Sequence, residues 1–370
     1  MRSPLKAALI VVLFASQSLA GPLSPPPGPI TSTLKTLGEV QPRVLLNATN
    51  TPGVGTNLLN ITQPGSYYLG ADLVVPAGFS GISINASEVT IDLNGFAIRG
   101  QPGSLDGIRT AGTTRRNLAV INGSITSMGD DGIDLAQSGS SANSRVEGVH
   151  ASQCGAVGVR LWESAIVRGC TLVENGSFGV SIGSGSIEST VVRANGDTGI
   201  YASSNAVVRA CTVLNNTGTG IRVGNRSVVT DSTAAFNAGG GILVVESCVV
   251  ERCSVSGSTN SFGISVTGAG CLIRNNNCDA NGNSPGIRIS NADNRIEGNN
   301  MTFNGIGLQA TGPGSIIIRN TASGNATNWS IAAGNAVAPI IQAATNAAAI
   351  SGNSSPGSFT TTDSNANFTY

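Results

Sequence analysis

Charged side chains are scarce in this sequence: Asp, Glu, Lys and Arg together make up 11% of 370 residues, against about a quarter in ordinary soluble domains. Aromatic residues make up 4%, which excludes a core assembled on large rings. His150 is the only histidine, so a zinc site built on histidines is excluded. Basic and acidic residues number 20 each, and no Lys/Arg-rich run occurs, which excludes a nucleic-acid partner for want of a positive field. Proline is missing from 103 to 284, yet no stretch carries the 3.6-residue period of an amphipathic helix. A phosphate loop and a dinucleotide fingerprint are missing as well. Beyond the amino terminus, no apolar run is long enough to span a bilayer. What remains is rich in glycine, 49 residues, with an apolar fraction of 40%; that fraction supports a buried core and excludes wholesale disorder.

Residues 1–20, MRSPLKAALIVVLFASQSLA, place Arg2 and Lys6 ahead of the apolar stretch Ala7 to Ala15 and end on Ser18-Leu19-Ala20. This is the pattern of a secretory signal peptide cut before Gly21, too short in its apolar part for a stable membrane span. Its loss leaves 18 basic against 20 acidic residues, a net charge of −2. The expected destination is outside the cell, in the periplasm or at the cell surface. Residues 21–56 contain Pro25-Pro26-Pro27-Gly28-Pro29 and read as an extended tether, because proline fixes φ and lacks an amide donor.

From residue 57 to 330 the chain repeats itself. A glycine followed by Ile or Val recurs at Gly81, Gly107, Gly132, Gly158, Gly179, Gly199, Gly220, Gly241, Gly263, Gly286 and Gly305, at intervals of 19–26 residues. After the glycine, side chains alternate, as in Ile221-Arg222-Val223 and Ile287-Arg288-Ile289; period two means a short strand with two side chains in and one out. A second strand follows in each repeat, as in Val208-Arg209-Ala210-Cys211. Asparagines trail it at Asn175, Asn195, Asn216, Asn237, Asn281 and Asn304, where an in-register column at a bend implies directly stacked turns. Short strands without helices at this period predict an all-β fold, a single parallel β-solenoid of about eleven coils; the leucine-rich frame that shares the period is missing. Glu147, Arg168, Glu188, Arg209, Thr230, Glu251, Arg274, Glu297 and Arg319 form one expected column whose alternating signs favour this register. Residues 331–370 lose the repeat and are expected to cap the last coil or trail from it.

Ile61 to Leu69 (ITQPGSYYL), Val89 to Phe96 (VTIDLNGF) and the glycine repeats resemble bacterial right-handed parallel β-helix proteins of the pectin-lyase-like superfamily. The resemblance implies right-handed winding and a function on polysaccharides, whether binding, lysis, hydrolysis or epimerisation. Family site motifs carry over poorly. Gly129-Asp130-Asp131 matches the Gly-Asp-Asp triplet of polygalacturonases, but His150 lies in Gly148-Val149-His150-Ala151 rather than between glycines. The epimerase signature and the calcium-binding aspartates of pectate lyases have no counterpart.

Asp130, Asp131 and Asp134 form the densest acidic group. Paired carboxylates serve as acid and base in glycoside cleavage, or ligate calcium, or simply make a polar turn like Asp106-Gly107-Ile108 one coil earlier. His150 is a candidate general base toward them, or a plain surface residue. Arg109, Arg160, Tyr201, Arg222 and Arg288 share the outward position of the glycine-led strands; they suit a linear acidic glycan lying along the stack, or serve solubility. No motif indicates a cofactor, calcium included. The partner expected is a polysaccharide or cell-surface glycan, bound without known catalytic motifs; a lyase, hydrolase or epimerase is the alternative. Of the seven cysteines, Cys170, Cys211 and Cys253 read as small core fillers. Cys248 and Cys271 fall at equivalent positions of adjacent coils, ~4.8 Å apart at Cα, and are the disulfide candidate in an oxidising compartment.

Overall fold

The computed structural model describes residues 43–110, 114–136, 142–258, 261–343 and 361–370, all within a unit from Arg43 to Tyr370. The signal-peptide segment and most of the expected tether lie outside the described residues. Every element described is a strand; none is a helix. Two sheets wind up the stack, one of 14 strands and one of 26. Each coil gives one strand to the smaller sheet and, in most coils, two short strands to the larger, such as Ala165–Arg168 and Thr171–Val173. Adjacent rungs pair in parallel, Ile221 on Ile200 and Ile242 on Ile221. The fold is therefore the expected parallel β-solenoid, with about fourteen coils rather than eleven. The surplus comes at the ends, where Leu59 pairs with Ile82 and Trp329 with Leu308. Neither residue follows a glycine, so these rungs lack the repeat's marker.

Inward columns are aliphatic. From Ile82 through Ile221 to Leu308 the first inward position is fully buried in every rung, and truncating one such residue to Ala costs about 2–5 kcal/mol. The glycine before it answers a steric demand. A Cβ at Gly132 would stand 2.6 Å from the carbonyl oxygen of Gly158, and one at Gly158 would stand 2.7 Å from that of Gly179.

Bends are closed by side-chain ladders. The amide and Nδ2 of Asn195 both reach Oδ1 of Asn216, at 3.0 and 2.9 Å, and Asn216 Nδ2 reaches Asn237 Oδ1 at 2.9 Å. After Ser258 the same column resumes as Asn281, Asn304 and Asn325. A second ladder runs Asn276, Asn299, Asn320, Asn367. Lower in that column stand Cys170, Cys211 and Cys253, whose amides are received by Thr190, Ser232 and Asn276. These cysteines do more than fill the core: their thiols also donate to buried carbonyls, Cys211 to Ile187 for example.

Register departs from expectation near the carboxyl end. Gly286 stacks under Gly307, not Gly305, because Ile287 pairs with Leu308. Likewise Ile318, not Arg319, lies on Glu297. Arg319 has positive φ at the bend and still reaches Glu297 at 2.8 Å. Elsewhere the alternating column forms as read, with Glu188 between Arg168 and Arg209 at 3.6 and 3.1 Å; these exposed pairs contribute about 0–1 kcal/mol each.

The tether expected to reach residue 56 ends sooner. Val44–Leu45 pairs with Gly65–Tyr68, and Pro52–Val54 folds antiparallel onto Asn57–Ile61. The turn between Leu45 and Pro52 is held by Asn47 Oδ1, which accepts the amides of Thr49 and Asn50. That hairpin covers the first rung's edge, which would otherwise present unpaired backbone groups. At the other end, Asn367–Thr369 pairs with Thr321–Ser323 and Ile340–Gln342.

Candidate functional site

The residue before each repeat glycine stacks in its own column: Asp106, Asp131, Val157, Phe178, with the amide of each following glycine donating to the carbonyl one rung up. Asp106 and Asp131 thus lie one above the other. Asp131's amide donates to Asp106 Oδ1 at 3.2 Å, and Val157's amide to Asp131 Oδ1 at 2.7 Å. The exposed Asp130 completes the group; carboxylate oxygens of Asp106, Asp130 and Asp131 lie within 4.8 Å of one another. Burial pushes the Asp131 carboxyl up to about 7, with the Val157 amide and Arg160 pulling the other way. Burial, then the Asp130 charge, pushes Asp106 up to about 6. Arg109 sits 3.6 Å from Asp106 and Arg160 3.2 Å from Asp131.

Asp106 therefore belongs to the acidic group, although the sequence offered it only as an example of an ordinary turn. Asp134 stands apart from it in the outward column, paired with Arg109 below and Arg160 above. It is buried, and its Oδ1 accepts the amide of Ala136 at 2.8 Å. His150 is exposed on the larger sheet, between Ser124 and Thr171. It does not join the acidic group, so the expected pairing of that base with those acids does not form. Three hard-oxygen donors suit calcium by type, but two of them are already engaged by backbone amides and arginines.

The outward column of the smaller sheet runs Arg109, Asp134, Arg160, Ser181, Tyr201, Arg222, Leu243, Ser265, Arg288. Aromatic rings that the period did not predict flank it. Phe178 stacks on Tyr201 with centroids 5.5 Å apart and planes 17° off parallel. The Arg222 guanidinium lies 5.7 Å over Tyr201, and that of Arg288 lies 5.0 Å over Phe262. Phe178 and Phe262 both precede a repeat glycine, which is the sequence signal that could have found them. Trp162 and Phe178 line a cleft of about 320 Å³ together with Arg160, Ser181 and Tyr201. An adjoining cleft of about 310 Å³ shares Tyr201 and Ser203 and is walled by Arg222 and Arg226. Among the described residues, Arg222 and Arg288 have no carboxylate partner within salt-bridge distance, whereas the arginines of the alternating column each have one.

All seven cysteines are buried free thiols. Cys248 lies one rung below Cys271 as the register required, and its amide donates to Cys271 Sγ at 3.3 Å. The two sulfurs are unbonded; a hydrogen bond between the two thiols holds that of Cys248 down, to about 6, and together with burial raises that of Cys271.

Comparisons with known proteins agree with this architecture. The family described as "Right handed beta helix region" matches residues 80–232, and "Periplasmic copper-binding protein (NosD)" matches residues 186–354. The second stretch contains no histidine, and among the described residues its thiols belong to no group of three metal donors. A search of curated proteins returned no match. Among solved structures, the A-module of Azotobacter vinelandii mannuronan C-5 epimerase AlgE6 is similar, with 18% identity and TM-score 0.58 over 75% of this chain and 91% of that one. The AlgE4 A-module from the same organism has 16% identity and TM-score 0.43 over 74% and 87%. A Streptococcus pneumoniae surface adhesin, PfbA, has 10% identity and TM-score 0.33 over 82% and 91%. No helix among the described residues is long and apolar enough to cross a membrane. By its fold, the chain is a right-handed parallel β-helix protein.

Proposed function

We propose that the protein is exported and binds a linear acidic polysaccharide, free or on a cell surface, along the outward face of its smaller sheet, without transforming it. The observation that carries this reading is Arg222 and Arg288: each lies in one outward column, rests on an aromatic ring and has no carboxylate partner among the described residues. A planar guanidinium with its charge unspent suits bidentate capture of a carboxylate or sulfate, and the half-buried Tyr201 ring beside Arg222 offers a face to a sugar, while the Phe262 ring under Arg288 is buried. The periplasmic name of one matched family and the polysaccharide-directed name of the AlgE6 neighbour agree with an extracytoplasmic glycan binder.

A second reading rests on the acidic group. Two stacked carboxyls that titrate near neutrality, Asp106 and Asp131, are the equipment of acid–base chemistry, and Arg160 links them to the cleft. It supports a lyase, hydrolase or epimerase.

Incubation with a panel of acidic polysaccharides, with and without calcium, separates the two. Retention without unsaturated uronate or new reducing ends is the expected outcome; turnover would replace the first reading with the second. Replacing Arg160 and Arg222 together with Ala should weaken binding about tenfold or more while the folded content is retained. Unchanged binding would reject this face.

A further inference from the structure

From Arg160 upward, the arginines of the outward column are evenly spaced. Arg160, Ser181, Tyr201 and Arg222 are consecutive rungs, and so are Arg222, Leu243, Ser265 and Arg288. Each interval is three rungs, roughly 14 Å at ~4.8 Å per rung, and the full tract is roughly 29 Å. Between Arg160 and Arg288 the column holds hydroxyls, one phenol and one leucine, and no acid. The tract has definite ends: Asp134 lies below Arg160 and Gln309 above Arg288.

Each guanidinium is held in place. Arg160 is fixed by Asp131 at 3.2 Å, Arg222 by the Tyr201 ring, and Arg288 by the Phe262 ring and Ser265 Oγ at 3.1 Å. Side chains already immobilised lose little freedom when a ligand arrives. On a rigid stack of rungs, the distances between the three forks are fixed as well.

We infer that this face is a three-point gauge for a linear polyanionic glycan lying parallel to the stack, gripping anionic groups about 14 Å apart at Arg160, Arg222 and Arg288. This rests on the glycan-binding reading above and adds to it a length requirement. A chain too short to bridge two forks is held at one point. A longer chain makes its second contact intramolecularly, which multiplies affinity without any new kind of contact. The sugars between grips pass over the half-buried Ser181 and Tyr201, then Leu243, where a hydroxyl, a phenol and an apolar face line the way and no carboxylate opposes the chain; Ser265 is buried and taken by Arg288.

The test is titration calorimetry of the full chain with a size-fractionated ladder of linear oligogalacturonates, from the disaccharide upward, in low salt. Affinity should rise in steps, each about tenfold or more, as the oligomer length passes roughly 14 Å and then roughly 29 Å. Arg222→Ala removes the middle fork and should abolish the first step while leaving the affinity of the shortest binders within about twofold. Arg222→Lys keeps the charge and loses the planar fork, and should restore the step in part. Arg222 is exposed, and circular dichroism of each variant checks that the strands persist. A smooth rise with length, unchanged by Arg222→Ala, overturns the gauge but leaves glycan binding standing. If no oligomer and no polygalacturonate binds, the underlying reading fails and the gauge falls with it.

Discussion

Asp131→Asn separates the charge of the acidic group from its shape. The Asp131 carboxyl, pushed up to about 7 chiefly by burial, keeps a proton at pH 5 that the unfolded chain, near 3.8, has lost. Between those values the native state binds more protons than the unfolded state. Stability is therefore fully present below the unfolded value, falls as pH rises, and levels off above about 7. Roughly three pH units at ~1.4 kcal/mol each set a ceiling of about 4 kcal/mol. Asp106, pushed up to about 6, adds a loss of the same sign that ends at lower pH. Asp231 acts oppositely, since a hydrogen bond from Arg252 holds it below its ordinary value; its contribution is lost only on acidification below this window.

The asparagine side chain keeps an oxygen for the Val157 amide and gives up the ion pair with Arg160. Set against the relieved burial cost, the net gain expected at pH 8 is about 1–2 kcal/mol, shrinking to zero or reversing by pH 5. The assay is urea unfolding of the two proteins at half-unit steps from pH 5 to 8.5, followed by circular dichroism. A wild-type midpoint that climbs toward pH 8 would refute the reasoning, because it would mean the carboxylate is ionised throughout. So would a variant that loses equal stability at every pH, since the pair with Arg160 would then outweigh burial.

Two further perturbations probe the ladders. Asn216→Ala leaves the amide of Asn195 without an acceptor and removes one of two partners from Asn195 Nδ2 and from Asn237 Oδ1, which keep the Leu172 carbonyl and the residue-216 amide; at ~1–3 kcal/mol for the buried group left unpaired, a loss of about 2 kcal/mol is expected in urea unfolding, and less than about 0.5 kcal/mol would show that water replaces the column. Mild oxidation followed by non-reducing peptide mapping should link Cys248 to Cys271 in preference to any other pair, since their register places the Cα atoms ~4.8 Å apart; alkylated thiols at both positions after oxidation would contradict that.

What the sequence disclosed follows from period. Inward aliphatics and outward polar positions recur at fixed offsets from the repeat glycine, the first asparagine ladder follows it by 16–18 residues, and Cys248 and Cys271 each lie five residues before equivalent positions, Cys253 and Asn276, so each could be read by counting. Counting failed where the marker was ambiguous. Gly305-Ile306 and Gly307-Leu308 are both plausible repeats, and only pairing of Ile287 with Leu308 decides between them. The site was harder to see because its parts come from different columns. Asp106 and Asp131 meet by stacking across 25 residues of sequence, and Trp162 and Phe178 sit at turns, where no period constrains residue type. His150 lay close to the acids in sequence, but the intervening bends carry it to the other sheet.

The contrast between the two sheets argues for where recognition resides. On the larger sheet, the outward charges alternate in sign and pair rung by rung, Arg168 with Glu188 and Glu188 with Arg209, so the stack consumes its own field. Bends use Asn, Ser, Thr or Cys, each answering a buried amide one rung away. Glycines are fixed by the approach of the next carbonyl. Stacking dictates residue type at all of these positions. The outward column of the smaller sheet obeys no such demand: serine, tyrosine, leucine and arginine succeed one another there, and two of its arginines lie on rings with no carboxylate opposing them among the described residues. A solenoid gains nothing from leaving those charges unpaired, because a carboxylate on the neighbouring rung would contribute as it does on the other sheet. On the glycan-binding reading proposed above, the partner that opposes them comes from outside the chain and extends along the stack to meet both.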